Sequence, residues 1–110
     1  MPGSDLYTGT LDVLILKALA GGPRHGYAIG LWLRRSSSEV LRVQEGVLYP
    51  ALHRLLRRDL VASKWGTTDT NRRAKFYRLT PKGRKHLQTE TYKLTEHSEA
   101  VLSVLHSLHS

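Results

Sequence analysis

The chain contains no cysteine. Disulfide staples, thiolate zinc sites and a cysteine nucleophile are therefore excluded together. No apolar run approaches the ~18 residues that a membrane-spanning helix needs. The N-terminus also lacks the basic-then-apolar pattern of a secretory signal. These absences fit a cytoplasmic location with no membrane partner. Catalytic signatures are missing too, with no nucleophile elbow, phosphate loop, HExxH pair or two carboxylates set in an evident pocket. Neither an enzyme nor a cofactor is expected. Six histidines are present, and His106 and His109 lie one helical turn apart with His97 nine residues earlier. No Asp or Cys joins them, so no metal site is expected.

Acid is the scarce charge, with nine Asp/Glu against seventeen Lys/Arg and a net charge of +8. Its distribution is uneven. Residues 1–41 carry four Lys/Arg and three Asp/Glu, residues 42–86 carry twelve against three, and residues 87–110 carry one against three. All the positive excess therefore sits in the middle of the chain. Charge spread for solubility has no need of such concentration, whereas a polyanion-binding surface does. At 110 residues the chain is one folding unit with room for one modest core.

The middle of the chain is organised around residues 44–60, QEGVLYPALHRLLRRDL. Leu48, Leu52, Leu55 and Leu56 recur at i, i+4, i+7 and i+8 with Ala51 beside them, which is one stripe of an α-helix. The rest of the cylinder carries Gly46, Tyr49, Pro50, His53, Arg54, Arg57 and Arg58. Before it, Leu11, Leu14, Ile15, Ala18 and Leu19 make a second apolar stripe. Thr10 is its expected N-cap and Gly21-Gly22-Pro23 its end. Residues 1–7 read as a loosely held arm. Residues 27–35 form another helix, with Ile29, Leu33 and Tyr27 expected inward. Gly30 in its middle suggests close packing against a neighbour. Residues 39–43 are too short for a helix and read as a one-bridge strand.

Beyond the organising helix, residues 61–66 and 74–79 are rich in Val, Trp, Phe, Tyr and Leu and flank a polar loop over 67–73. That is the pattern of an antiparallel hairpin. Thr80-Pro81 then supplies an N-cap followed by proline at the first helical position. The last helix is expected to run to about Leu108. Along it Leu87, Leu94, Val101 and Leu108 repeat every seven residues, with Leu105 in an intervening row. An uninterrupted seven-residue repeat keeps one seam facing a partner helix. Helix, helix, helix, hairpin is the order of a winged helix-turn-helix, with a mainly α fold and a small β-hairpin. The expected organisation is a DNA-binding unit over 1–79 and a dimerisation helix over 80–110.

The pieces GGPRHGYAI, EGVLYPALHRLLRRDLV and RRAKFYRLTPKGRKHL, with the gaps between them, resemble the PadR family of bacterial transcriptional regulators. The resemblance spans roughly residues 6–108. It implies a homodimer whose C-terminal helices pair with helix 1 and with each other, placing Leu11, Leu87, Leu94, Val101, Leu105 and Leu108 at the interface. It further implies a repressor acting on a pseudo-palindromic operator, and permits a small aromatic effector between helices 1 and 4 and the partner's helix 4. Two features depart from the family pattern. Val43-Gln44-Glu45 stands where relatives often show a Ser-Pro-type opening, and helix 4 has no Trp, leaving Tyr92 as the aromatic for an effector site.

The residues support the same reading independently of the resemblance. An α-helix fits the major groove of double-stranded DNA, and side chains near its N-terminus reach base edges. Over the reading helix, 44–59, those are Gln44, Val47, Tyr49, Pro50 and His53, with Gly46 allowing close backbone approach. Tyr49 has packing as its alternative role. Arg54 is expected on phosphate, ahead of Arg57 and Arg58. In the wing, 64–78, Arg72, Arg73 and Lys75 are expected beside phosphate or in the adjacent minor groove, with Lys64 a weaker candidate and Asn71 a turn-former. At the start of helix 2, His25 and Tyr27 can touch phosphate, and Tyr27 can equally pack in the core. A competing function is a winged-helix module that binds an acidic protein partner.

Overall fold

The apolar stripes of three helices converge on one core, and the elements follow from that. The computed structural model describes residues 2–108, with side chains described over 9–108. In chain order the elements are α1 (Pro2–Leu19), β1 (Arg24–His25), α2 (Gly26–Ser36) and α3 (Glu45–Arg57), then β2 (Val61–Thr67), β3 (Arg73–Leu79) and α4 (Pro81–Leu105). Ile15, Leu16 and Leu19 of α1 meet Ile29 and Leu33 of α2 and Leu48, Ala51, Leu52 and Leu55 of α3. Leu60, Val61, Tyr77 and Leu79 close the core from the sheet side. Each large aliphatic side chain so buried contributes about 1.5–3 kcal/mol relative to exposure.

Four local expectations are corrected. The stretch expected as a loose arm is helical from Pro2, so Thr10 lies inside α1 and is not its cap. Residues 39–43 form no strand. Ser38 and Glu39 adopt φ of 54° and 71° in a turn after α2, where the Glu39 amide donates to the Arg34 carbonyl at 2.8 Å and the Leu41 amide to Ser37 Oγ at 2.8 Å. The edge of β3 is taken instead by Arg24–His25, giving a three-stranded antiparallel sheet in the order β1-β3-β2. Gly30 is not a close-approach glycine, because a Cβ there would meet Leu48 at an ordinary 3.9 Å. Tyr27, expected inward, is 69% exposed.

The corner between α3 and the hairpin is tied to the start of α4. Thr80 Oγ1 accepts from the Gly83 amide at 2.9 Å, as an N-cap should, and donates to the Asp59 carbonyl at 2.7 Å. The Thr80 amide donates to the Leu60 carbonyl at 3.2 Å. Gly83 lies so close that a Cβ would overlap the Leu60 carbonyl oxygen. Leu87, expected on the dimer seam, is 8% exposed and packs in the core of its own chain, because this docking brings the first turns of α4 onto it. Leu94 and Leu11 pack partly against the same core. Beyond Leu94 every residue of the helix is exposed, and the molecule measures 56 × 29 × 26 Å. It ends at Leu105, a turn short of the expected limit.

Arg54, expected on phosphate, has a partner within the chain. Its guanidinium is bonded to Asp12 of α1, with Nη2 to Oδ1 at 2.9 Å. The Asp12 side chain is only 13% exposed. The pair therefore joins the first helix to the third.

Two outcomes are expected from these contacts. Thr80→Ala removes a cap and a cross-chain donor together and should lower unfolding free energy by about 1–2 kcal/mol in urea titrations. Arg54→Met, which strands a largely buried carboxylate, should cost about 2 kcal/mol or more. Adding Asp12→Asn should then recover part of that loss, a non-additivity readable in a double-mutant cycle.

Candidate nucleic-acid interface

Burial of the α3 stripe decides what the helix presents outward. With Leu48, Ala51, Leu52 and Leu55 inside, Gln44, Glu45, Gly46, Val47, Tyr49, Pro50 and His53 are all exposed. Gln44 is the N-cap of α3 but makes no side-chain capping bond, so its amide is available to a ligand. Nothing lies within 4 Å of where a Cβ would stand at Gly46. Val47 is half-exposed and adds nothing to the core. Glu45 sits in the first turn, where a carboxylate suits the positive end of the helix dipole. Pro50 lies inside α3 and offers no amide to the Gly46 carbonyl one turn back.

The wing is a seven-residue pair of strands in a fixed register. Val61 faces Leu79, Ser63 faces Tyr77, Trp65 faces Lys75 and Thr67 faces Arg73. Alternation puts these residues on one face of the ribbon and Lys64, Phe76 and Arg78 on the other. Lys64 is thereby separated from Lys75 and Arg73, and it pairs across the ladder with Phe76. At the tip, Asn71 takes φ of 62°, the Thr68 amide donates to the Arg72 carbonyl at 2.8 Å, and the Arg72 amide donates to Thr68 Oγ1 at 3.1 Å. The expected turn role of Asn71 is thus met, and the arginines beside it stand on a closed loop.

Between the wing, the start of α2 and α3 runs an open groove of ≈ 950 Å³. Tyr27 and Tyr49 line one side, and Trp65, Arg72, Arg73 and Lys75 the other. His25 also borders it, with its ring 5.2 Å from Phe76 in an edge contact. Tyr49 crosses over Gly26, where any Cβ would collide with its ring and hydroxyl, so Gly26 is what lets the two helices hold this tyrosine between them. Tyr49 takes the packing role on α2 and is still 43% exposed. Burial, and then the neighbouring Tyr49, push the Tyr77 hydroxyl above the usual tyrosine pKa. His53 and Lys64 do not line this groove. A second, smaller cleft between α2 and α3 is lined by Tyr27, Arg34, Arg42, Gln44, Glu45 and Gly46.

Sequence reasoning overlooks Trp65, which stands 56% exposed with the Arg73 guanidinium 4.9 Å and the Lys75 ammonium 5.5 Å from its ring centroid. Its signal is present in the alternation of β2, which places it with Lys75 once the register is known. The ion pairs found among the described residues do not involve Arg72, Arg73 or Lys75. Tyr92, expected to line an effector site, instead donates to Glu96 at 2.8 Å on the exposed part of α4. It lies outside the small groove between α1 and α4, which is lined by Val13, Glu90, Leu94 and His97 among others. Among the described residues no group of three or more His, Asp or Glu could hold a metal ion, and His109 lies outside them. No described helix is long and apolar enough to cross a membrane.

The fold recurs in known proteins. A transcriptional regulator from Clostridium thermocellum superposes with a TM-score of 0.80 at 29% identity, covering 94% of this chain and 99% of that one. Bacillus subtilis PadR, solved in complex with operator DNA, has the same fold at 24% identity and a TM-score of 0.64, over 73% of this chain and 44% of its own. The transcriptional regulator Rv3488 of Mycobacterium tuberculosis is 39% identical over 74 residues, 66% of this chain and 68% of that protein. The model of the PadR-like transcriptional regulator family matches residues 15–90, from α1 through the wing and into α4. With that match spanning the helix-turn-helix, the wing and the docked part of α4, the chain belongs to the PadR-like family of transcriptional regulators, a family of regulators and not of enzymes.

Proposed function

We propose that this chain is a cytoplasmic, sequence-specific DNA-binding repressor that acts as a homodimer on a pseudo-palindromic operator. The observation that carries the reading is the groove in which Tyr49 of α3 and the wing cations Arg72, Arg73 and Lys75 border one open space, with Gln44 and Gly46 lining the adjoining cleft between α2 and α3. In this arrangement Gln44, Val47 and Tyr49 meet base edges in the major groove, and Gly46 and Pro50 keep the approaching surface small. Gln44 suits adenine, and Val47 suits a thymine methyl. Glu45 suits a cytosine amino group. His53, further along α3 and outside the protein's own groove, reaches toward base edges in the DNA major groove. Arg72, Arg73 and Lys75 neutralise phosphate or enter the adjacent minor groove. His25 and Tyr27 add a phosphate contact at the start of α2.

Residues 1–79 are the DNA-binding unit, and 80–110 supply the second copy's contact. The far end of α4 supports this division. Val101, Leu102, Val104, Leu105 and Leu108 are all exposed there. A lone chain gains nothing from that apolar surface, whereas a second α4 would bury it. A small aromatic effector, where one acts, would sit between α1, α4 and the partner's α4. The B. subtilis complex lends support for duplex DNA as the partner.

The direct test selects bound duplexes from a random pool. The expected result is a two-fold symmetric motif with half-site centres about 34 Å apart, or a multiple of that. Affinity should fall with salt, log K dropping ~0.9 per phosphate neutralised. Arg72→Ala/Arg73→Ala should reduce that slope by nearly two phosphates while sedimentation still shows a dimer. No duplex binding by the unmutated protein at low salt would overturn the reading and favour an acidic protein partner. Separately, Val101→Asp/Leu105→Asp should shift sedimentation to the monomer and leave the urea transition of the core in place. A dimer that survives both aspartates would remove α4 as the interface.

A further inference from the structure

Trp65 is the largest apolar side chain that the wing exposes, and the core does not use it. It stands on the ribbon face that turns toward α3, opposite Lys75, with two cations against its ring at 4.9 and 5.5 Å. Across the groove from it are the rings of Tyr27 and Tyr49, and beyond it Arg72 extends from the tip. A surface that only needed positive charge would not alternate it with aromatic faces.

If α3 lies in a major groove and the wing reaches the neighbouring minor groove, one sugar–phosphate strand separates them. That strand has to pass between α3 and the wing, which is the space Trp65 borders. The chemistry of the lining matches such an occupant. Deoxyribose offers carbon-bound hydrogens to an aromatic face, and the phosphates on either side of it offer charge to Arg73 and Lys75. We propose that Trp65 is a DNA-contact and positioning residue: its ring packs on the sugar of the strand that runs between α3 and the wing, and holds Arg73 and Lys75 aimed at the flanking phosphates. The inference rests on the DNA-binding reading above and adds to it a residue and an occupant for the groove. A guanidinium or ammonium held over a ring keeps its full charge while losing rotamer freedom before binding. The gain lies in pre-organisation and is independent of base sequence.

The two tryptophans allow a direct measurement. Trp32 lies on α2, packs partly against the core beside Arg24, and does not line the groove. A Trp32→Phe chain therefore reports on Trp65 alone. It is titrated at low salt with a dye-labelled random-sequence duplex of about 30 base pairs, long enough to span about three helical turns. Dye anisotropy reads binding, and acrylamide quenching reads access to the indole. The expected result is that quenching of Trp65 falls severalfold at saturation. Quenching unchanged while anisotropy rises would overturn the proposal and leave DNA binding intact. No rise in anisotropy would instead sink the DNA-binding reading itself.

In the full chain, Trp65→Ala should weaken duplex binding about fivefold, the scale of an exposed cation–π arrangement plus a lost packing face. Trp65→Phe should restore most of it. The slope of log K on log salt should stay unchanged in both, whereas Arg73→Ala should lower it by ~0.9. Wild-type affinity in Trp65→Ala, with its folding verified by circular dichroism, would overturn the proposal.

Discussion

Everything outward-facing in this molecule depends on how α3 is held by its apolar stripe. Leu48, Ala51, Leu52 and Leu55 are all but inaccessible to solvent. Rotating the helix by one residue, about 100°, would drag exposed Tyr49 or His53 toward the core and expel leucines. Burial of this size is worth several kcal/mol per rotation, so the orientation of Gln44, Gly46 and Val47 follows from packing and needs no contact of their own. The same constraint reaches the wing. Leu60 and Val61 are buried directly after α3, and Thr80 bonds the backbone at Asp59 and Leu60. The ribbon therefore leaves the core at an angle fixed from both ends, and its tip cations are aimed by residues far from them.

Charge on this surface divides into two kinds that sequence position alone does not separate. Arg54 and Arg72 are both arginines of the basic middle segment. Arg54 faces α1 and is bonded to a carboxylate that is largely withdrawn from water. In that setting the ion pair gains from a lower local dielectric, and a passing phosphate would have to displace it. Arg72, Arg73 and Lys75 enter none of the ion pairs among the described residues and retain their charge for a polyanion. The field of the middle segment is thus carried by fewer residues than its composition suggests, and those residues lie together.

The fold is legible in the sequence because its periodicities are strong. The i, i+4, i+7 stripe of α3, the Thr80-Pro81 start of α4 and the β-rich runs around 67–73 each follow from local chemistry, and each appears where expected. What is illegible depends on partners distant in sequence. The tie between Asp12 and Arg54 spans forty-two residues, and no local pattern announces it. Residues 39–43 have the composition of a strand, but Arg24–His25 occupies the edge of β3 and the turn at Ser38-Glu39 leads the chain directly into α3. Trp65 looks like any aromatic of a β-run until the register places it beside Lys75 and Arg73. Gly30 and Gly26 show the same limit. Both are helical glycines on α2, and only the position of the Tyr49 ring makes Gly26 the one that close packing requires.

The seven-residue repeat of α4 is where pattern and role part most clearly. Leu87 and Val101 belong to one unbroken series, yet Leu87 is buried in its own chain and Val101 is exposed. A repeat specifies which face of a helix is apolar, and cannot say which surface will cover it. Length decides. A helix of 25 residues extends about 37 Å, and its residues beyond Leu94 are exposed, so its far half runs past the core that its near half joins. The far half also carries net negative charge, with Glu96 and Glu99 and no Lys or Arg over residues 94–105, which sets it against a phosphate-facing role. An apolar stripe on an acidic rod that projects beyond the body fits another rod of the same kind better than it fits DNA. Near half and far half therefore differ within a single repeat: the first is docked on the core, and the second leaves its apolar side chains open, as the dimer proposed above requires.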